Sequence, residues 1–213
     1  DVYIYTLNDG KSVAEIMEYG AAIVSLRPFG DVDVVGGFDT LEAYTKDTSN
    51  QGAIVGRVAN RIENARFEID GKVYQLADND NGNCLHGGVG FQHRLWKIVD
   101  YTENSITLCY LSPDGEDGFP ANLQIDVSYT LKDAAIIISY TATPDGKTPI
   151  ALTNHAFFNL DGFGGDIKEH TVQIWADSYS EVNDKLIPTG NHPNVIGTPL
   201  DLRLPKKVGE DFS

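Results

Sequence analysis

Three short segments concentrate polar side chains that packing alone does not explain. They read Gly-Arg-Val-Ala-Asn-Arg-Ile at 56–62, Asn-Cys-Leu-His-Gly-Gly-Val-Gly-Phe at 83–91 and Asn-His-Ala-Phe-Phe-Asn-Leu at 154–160. Imidazole rings exchange protons near neutral pH, whereas guanidinium and amide groups bind neighbouring oxygen atoms. Together these residue types favour proton-transfer chemistry on a hydroxyl-rich ligand such as a sugar.

His86 and His155 are the candidates for catalysis. His86 precedes two glycines, which let a ligand approach the backbone closely, although a glycine-rich turn with a surface histidine explains the same pattern. His155 lies in a stretch apolar enough to be buried, which suits general acid or base work near neutrality. The alternative is a core histidine whose ring bonds a carbonyl group.

Asn60 and Arg61 are the candidates for substrate binding. A planar guanidinium beside an amide can bind neighbouring sugar hydroxyls or a ring oxygen. Ala59 and Ile62 flank this pair, which indicates partial burial of Arg61 and a specific partner. Arg57, in contrast, is expected to be a solvated surface residue.

No metal site is predicted. Residues 78–82 begin like a calcium loop, but Val89 occupies the twelfth position, where a bidentate glutamate is required. The histidines also lack the spacing of metal ligands. Three of them are expected at the surface: His93, His170 and His192.

Short strands must hold these segments in place. Apolar residues occupy every second position from Leu123 to Leu131, which predicts a strand with one buried face. The pair Asp70-Gly71 between two apolar runs predicts a tight hairpin. Asp39 is a possible N-cap for one helical turn at 40–44. Further strands are predicted at 2–7, 12–17, 21–27, 105–111, 135–142 and 171–175. This pattern is typical of an all-β sandwich or barrel.

Composition excludes some classes of partner. The 213 residues include 31 acidic and 16 basic side chains, and the net charge of -15 disfavours nucleic acid and anionic membranes. Cys84 and Cys109 do not suggest a disulfide framework, and no segment is apolar enough to span a bilayer. With no signal-like pattern at its start, the chain is expected in the cytoplasm.

The three segments, in this order, resemble the aldose 1-epimerase (galactose mutarotase) family. In that family an Asn-Arg-Ile, a Leu-His-Gly-Gly and an Asn-His-x-x-Phe-Asn-Leu segment line the sugar site. Four more stretches agree with the family: 19–21, 117–120, 186–190 and 197–203. The resemblance covers essentially the whole chain, so residues 1–213 are expected to form the N-terminal and central part of a single domain of this family.

The resemblance implies a large twisted β-sandwich, the galactose mutarotase-like supersandwich, that interconverts the α and β anomers of a hexose such as galactose or glucose. His155 would protonate the ring oxygen, while His86, Asn60 and Arg61 would bind and orient the sugar and help to polarise that oxygen. No cofactor is implied. The expected partner is a small sugar, with no nucleic acid and no membrane, and the expected assembly is a monomer or homodimer.

One departure from the family affects the expected activity. The family's base, a glutamate, and an aspartate that holds sugar hydroxyls lie beyond the position of Arg203, and Glu210 and Asp211 follow too closely to replace the base. The C-terminal part of the sandwich is therefore expected to be missing, and residues 1–213 alone are expected to be inactive and marginally stable. Two alternatives stay open, a non-catalytic carbohydrate-binding protein and a hexose-6-phosphate 1-epimerase, although the latter would need more basic residues near its site.

Overall fold

The regular secondary structure in the described part of this chain consists mainly of short strands. The computed structural model describes residues 1–210 and divides into two units, one spanning Asp1–Phe158 and one that begins at Asn159. No helix among these described residues is long and apolar enough to cross a membrane.

The first unit contains thirteen described strands, one short α-helix and three 3-10 helices. The helix α1 spans Leu41–Lys46, and the 3-10 helices span Glu63–Ala65, Phe91–His93 and Glu116–Gly118. The strands are β1 (Ile4–Asn8), β2 (Val13–Met17), β3 (Ala22–Arg27), β4 (Ile54–Val55), β5 (Arg61–Ile62), β6 (Arg66–Ile69), β7 (Lys72–Gln75), β8 (Cys84–Leu85), β9 (Lys97–Tyr101), β10 (Ser105–Ser112), β11 (Leu123–Lys132), β12 (Ala135–Pro144) and β13 (Thr153–Asn154).

Two antiparallel sheets form the framework of this unit. One has the strand order β1-β2-β3 and the other the order β12-β11-β10-β9. The alternating side chains of β11 are fully buried, from Leu123 to Leu131, as the sequence predicts. The hydroxyl of Tyr129 on β11 donates a 2.6 Å hydrogen bond to the carbonyl of Ala21, so the polar end of this core residue is satisfied.

The predicted hairpin is confirmed, and one helix cap was assigned to the wrong residue. Asp70 and Gly71, with φ of 52° and 80°, join β6 to β7. The N-cap of α1 is Thr40 rather than Asp39, because the Thr40 hydroxyl accepts a 3.2 Å hydrogen bond from the Ala43 amide.

The second unit has little regular structure among its described residues. Strand β14 (Thr171–Val172) pairs antiparallel with β15 (Lys206–Lys207), and a 3-10 helix covers Val208–Glu210. The strand predicted at 171–175 is therefore shorter than expected. Asp211, considered above as a base, lies outside the described residues.

Candidate active site

Two short strand pairs bring the first two polar segments and the start of the third together in the first unit. Strand β4 pairs with β13, which immediately precedes His155, while β5 pairs with β8, which immediately precedes His86. The 56–62 segment connects β4 to β5 and so links the two histidines. Their ring centroids lie 5.1 Å apart with the ring planes nearly perpendicular.

His86 is held by two backbone contacts with Asn60. The His86 amide donates to the Asn60 carbonyl at 2.9 Å, and the Asn60 amide donates to Nδ1 of His86 at 3.0 Å. Because Nδ1 accepts this bond, the neutral ring carries its proton on Nε2. Burial, together with the charges of His155 and Arg61, holds the pKa of His86 below its ordinary value. His86 is therefore suited to donate a hydrogen bond as a neutral ring.

This geometry predicts a measurable protonation state for His86. In 15N spectra near pH 7 we expect Nδ1 to resonate as an unprotonated nitrogen and Nε2 as a protonated one. Titration should occur below the usual histidine pKa of about 6.5. The pKa of His86 is lower in the folded state than in the unfolded state. Its contribution to stability is therefore fully present above the unfolded pKa and is lost as the pH falls through the folded pKa. A titration midpoint at or above the usual value would contradict this assignment.

His155 occupies a backbone position fixed from both sides. Its amide donates to the Ala53 carbonyl at 2.8 Å, and its own carbonyl accepts from the Gly52 amide at 3.1 Å. The side chain of Asn154 reinforces this link, because its Nδ2 donates to the Gly52 carbonyl at 2.7 Å. The His155 ring is partly buried and lies 5.2 Å, centroid to centroid, from the ring of Phe157.

Arg61 is oriented by an ion pair that the sequence interpretation missed. Its Nε lies 2.6 Å from Oδ2 of Asp80, and both side chains are less than a fifth exposed. Nη1 of Arg61 also donates to Oδ1 of Asn60 at 3.3 Å. Asp80 belongs to residues 78–82, which begin like a calcium loop, and only the three-dimensional contact with Arg61 reveals its role.

Arg57 is not at the surface, which corrects the expectation for this residue. Only 1% of it is exposed, and its guanidinium makes six hydrogen-bond contacts, with one N–H of Nη2 shared between two acceptors. The acceptors are the Ser112 hydroxyl and carbonyl, the Thr148 hydroxyl and the carbonyls of Pro113 and Pro120. Arg57 is therefore committed to the interior and is not free to bind an anionic ligand.

Two of the remaining histidines are also less exposed than expected. His93 is partly buried, and its Nδ1 lies 3.0 Å from the Tyr19 hydroxyl. His170, in the second unit, has a side chain that is 14% exposed, and its Nε2 accepts from the Leu160 amide at 3.1 Å. His192 is exposed, as expected.

Asn159, the second asparagine of the 154–160 segment, lies in the second unit. Its Nδ2 donates a hydrogen bond to the Gly165 carbonyl.

The chain is similar to known sugar epimerases over nearly its whole length. The family model described as aldose 1-epimerase matches residues 3–213. Galactose mutarotase from Bos taurus is 42% identical over 97% of this chain, and aldose 1-epimerase from Escherichia coli K12 is 38% identical over 96%. The chain spans 62% and 61% of the lengths of these two relatives.

Solved structures agree with this relationship. An aldose epimerase homologue from C. elegans superposes with a TM-score of 0.93 at 35% identity, and the match covers 100% of this chain and 67% of the other. The all-β architecture is thus the galactose mutarotase-like β-sandwich, as predicted. From the family match and these likenesses together, the chain belongs to the aldose 1-epimerase family.

Proposed function

We propose that the whole protein containing this chain is an aldose 1-epimerase that interconverts the α and β anomers of a hexose such as galactose or glucose. The observation that carries this proposal is the contact between the rings of His86 and His155. Arg61 lies on β5, which pairs with β8 immediately before His86. The names of the bovine and bacterial relatives support the same substrate class.

The proposed reaction needs an acid and a base with opposite tasks. His155 delivers a proton to the ring oxygen as the bond from C1 to that oxygen breaks, and a base removes the proton of the C1 hydroxyl to leave the open-chain aldehyde. Rotation about the C1–C2 bond and the reverse proton transfers then give the other anomer. We assign the base to a carboxylate beyond residue 213, as the resemblance to the family implies. Asp80, the carboxylate that acts on His86, is not assigned this role because it already pairs with Arg61.

His86, Asn60 and Arg61 hold the sugar in this proposal. A neutral His86 with its proton on Nε2 donates to a sugar oxygen without adding a second positive charge beside His155. Arg61 uses Nε for Asp80 and one N–H of Nη1 for Asn60, so its other N–H groups are available for hydroxyl oxygens.

Anomer exchange provides the direct test. Saturation-transfer NMR at the C1 protons of galactose and glucose should show exchange well above the buffer rate with the whole protein. Residues 1–213 alone are expected to show sugar-dependent shifts of the His86 and His155 signals but a polarimetric rate equal to that of buffer. Exchange clearly above buffer by residues 1–213 would refute the assignment of the base, and no exchange by the whole protein would favour a carbohydrate-binding role.

Arg61→Lys tests the binding role of the guanidinium. A lysine can pair with Asp80 but cannot also present a planar set of donors, so KM for the sugar should rise about tenfold or more. KM is measured from polarimetric initial rates, with Arg66→Lys on the exposed start of β6 as the matched control. An unchanged KM in Arg61→Lys would remove Arg61 from the proposed site.

Phosphate discrimination separates this proposal from a hexose-6-phosphate epimerase. Arg57 is buried and fully hydrogen-bonded, which leaves Arg61 as the guanidinium of the 56–62 segment that can reach a ligand. We expect galactose to be converted with a higher kcat/KM than glucose 6-phosphate. The reverse preference would favour the phosphate-specific reaction.

We also propose a cytoplasmic location and a monomeric or homodimeric assembly. Cys84 and Cys109 are free thiols, which supports a reducing compartment. Cell fractionation and sedimentation of the whole protein test these two points.

A further inference from the structure

The loop that begins at His86 has a backbone with positive φ at four residues. His86 and Gly87 have φ of 55° and 79° and form the centre of a turn closed by a 3.1 Å bond from the Gly88 amide to the Leu85 carbonyl. A non-glycine residue with positive φ is strained and persists only where its surroundings hold it. Since Gly88 and Gly90 also have positive φ, this loop needs an external constraint.

The carboxylate of Asp117 supplies contacts to this loop. Its Oδ1 accepts from the Val89 amide at 3.1 Å, and its Oδ2 accepts from the Gly90 amide at 3.2 Å. A Cβ atom at Gly88 would lie 3.0 Å from Oδ1, so glycine at this position permits the close approach. The Asp117 side chain is only 11% exposed.

Asp117 is itself fixed by a network of partly buried groups. Nη2 of Arg94 lies 3.2 Å from its Oδ2, and Nε of Arg94 lies 3.0 Å from Oε1 of the neighbouring Glu116. Glu116 also accepts hydrogen bonds from the hydroxyls of Tyr110 and Ser112 on β10. These contacts anchor the 116–118 turn to a central strand of the main sheet, and Asp117 has a positive φ of 51° within it.

We propose that Asp117 is a positioning residue for His86, acting through the backbone of the 87–90 loop. Each carboxylate oxygen of Asp117 accepts a hydrogen bond from one backbone amide of the loop. An asparagine of the same size has only one acceptor oxygen, so its NH2 group would face the second amide, which is also a donor.

Asn79 holds the start of this loop, because its Nδ2 donates to the carbonyls of Leu85 and Gly88. Loss of the Asp117 bonds frees the Val89 and Gly90 amides at the other end of the loop, and His86 then loses its register with the Asn60 amide. The catalytic consequence rests on the proposed function, whereas the effect on His86 does not.

Asp117→Asn tests the inference on the whole protein by NMR, without an activity assay. We expect amide exchange at Val89 and Gly90 to accelerate about tenfold or more, because a lost hydrogen bond of ordinary strength changes local opening by that factor. The 15N signals of His86 should lose their single tautomer, and its titration midpoint should move up toward that of a free histidine. The charged or titratable groups that act on His86, namely His155, Arg61 and Asp80, are unchanged in this variant.

Asp114→Asn is the matched control, because Asp114 lies in the same turn region but accepts from the Ala121 amide rather than from the loop. Amides of β10 and β11 report whether the fold is intact. If the Asn variant does not fold, Asp117→Glu, which shifts the carboxylate by one methylene and keeps its charge beside Arg94, should produce the same changes to a smaller extent.

Two results would overturn the inference. One is unchanged exchange at Val89 and Gly90 in a folded Asp117 variant. The other is faster exchange there with the His86 tautomer and titration as in the original chain.

In the whole protein kcat should fall about 10- to 100-fold while KM changes less, as expected for a displaced polarising group. An inactive whole protein would refute the proposed function but leave the NMR result valid.

Discussion

Replacing His155 with glutamine should lower kcat for anomer exchange by the whole protein about 10²- to 10⁴-fold, the usual contribution of a general acid. Glutamine has a similar size and retains hydrogen-bonding capacity but cannot deliver a proton to the ring oxygen. The backbone bonds of residue 155 with Ala53 and Gly52 do not involve the side chain, so the fold should be unaffected. KM should change much less than kcat, because the proton is transferred only in the transition state.

The measurement is the exchange rate of the galactose anomers by saturation-transfer NMR, compared with buffer. His192→Gln is the matched control, because His192 is an exposed histidine of the second unit. A His155→Gln protein with kcat within about threefold of the original would exclude His155 as the acid, since that loss is far below the usual range.

Replacing Arg57 with alanine should lower the free energy of unfolding by about 3–5 kcal/mol. The change leaves a cavity where a fully buried side chain was, and it leaves the Ser112 hydroxyl and the Pro120 carbonyl without the donors that now satisfy them. A loss of this size is a large share of the total stability of a domain, which is about 5–15 kcal/mol. Urea unfolding followed by circular dichroism measures it.

Arg27→Ala is the control for this stability change. Arg27 pairs with Glu15 at 3.5 Å on the surface, with about a third of each side chain exposed. Its removal should cost about 0–1 kcal/mol because exposed ion pairs are weak. Equal effects of the two substitutions would mean that the six hydrogen bonds of Arg57 contribute no more than a surface pair.

Local patterns predicted the framework of the fold. The alternation along β11 and the Asp70-Gly71 turn were read correctly, because each depends on neighbouring residues alone. Two predictions were wrong: β14 ends at Val172 rather than at residue 175, and the N-cap of α1 is Thr40 rather than Asp39. Thr40 and Asp39 can both cap a helix, and the choice depends on which side chain reaches the Ala43 amide.

The site was predicted only in part. His86, His155, Asn60 and Arg61 were identified from their types and motifs, and the structure brings them together in the first unit. Their catalytic and binding roles stay predictions. Asp80 and Asp117 were missed as partners, because an acidic residue in an acidic chain has no local feature that distinguishes a structural contact from a solvated surface charge.

Short-range periodicity and the order of the motifs were enough to predict the family, the strand framework and the residue types that can do chemistry. Only the three-dimensional contacts show which carboxylates bind Arg61 and the 87–90 loop, that Nδ1 of His86 accepts from the Asn60 amide, and that Arg57 is buried rather than solvated. The approach of His86 to His155 follows from the pairing of β4 with β13 and of β5 with β8. Such contacts join residues far apart in the chain, and their strength depends on burial and distance, which no local pattern encodes.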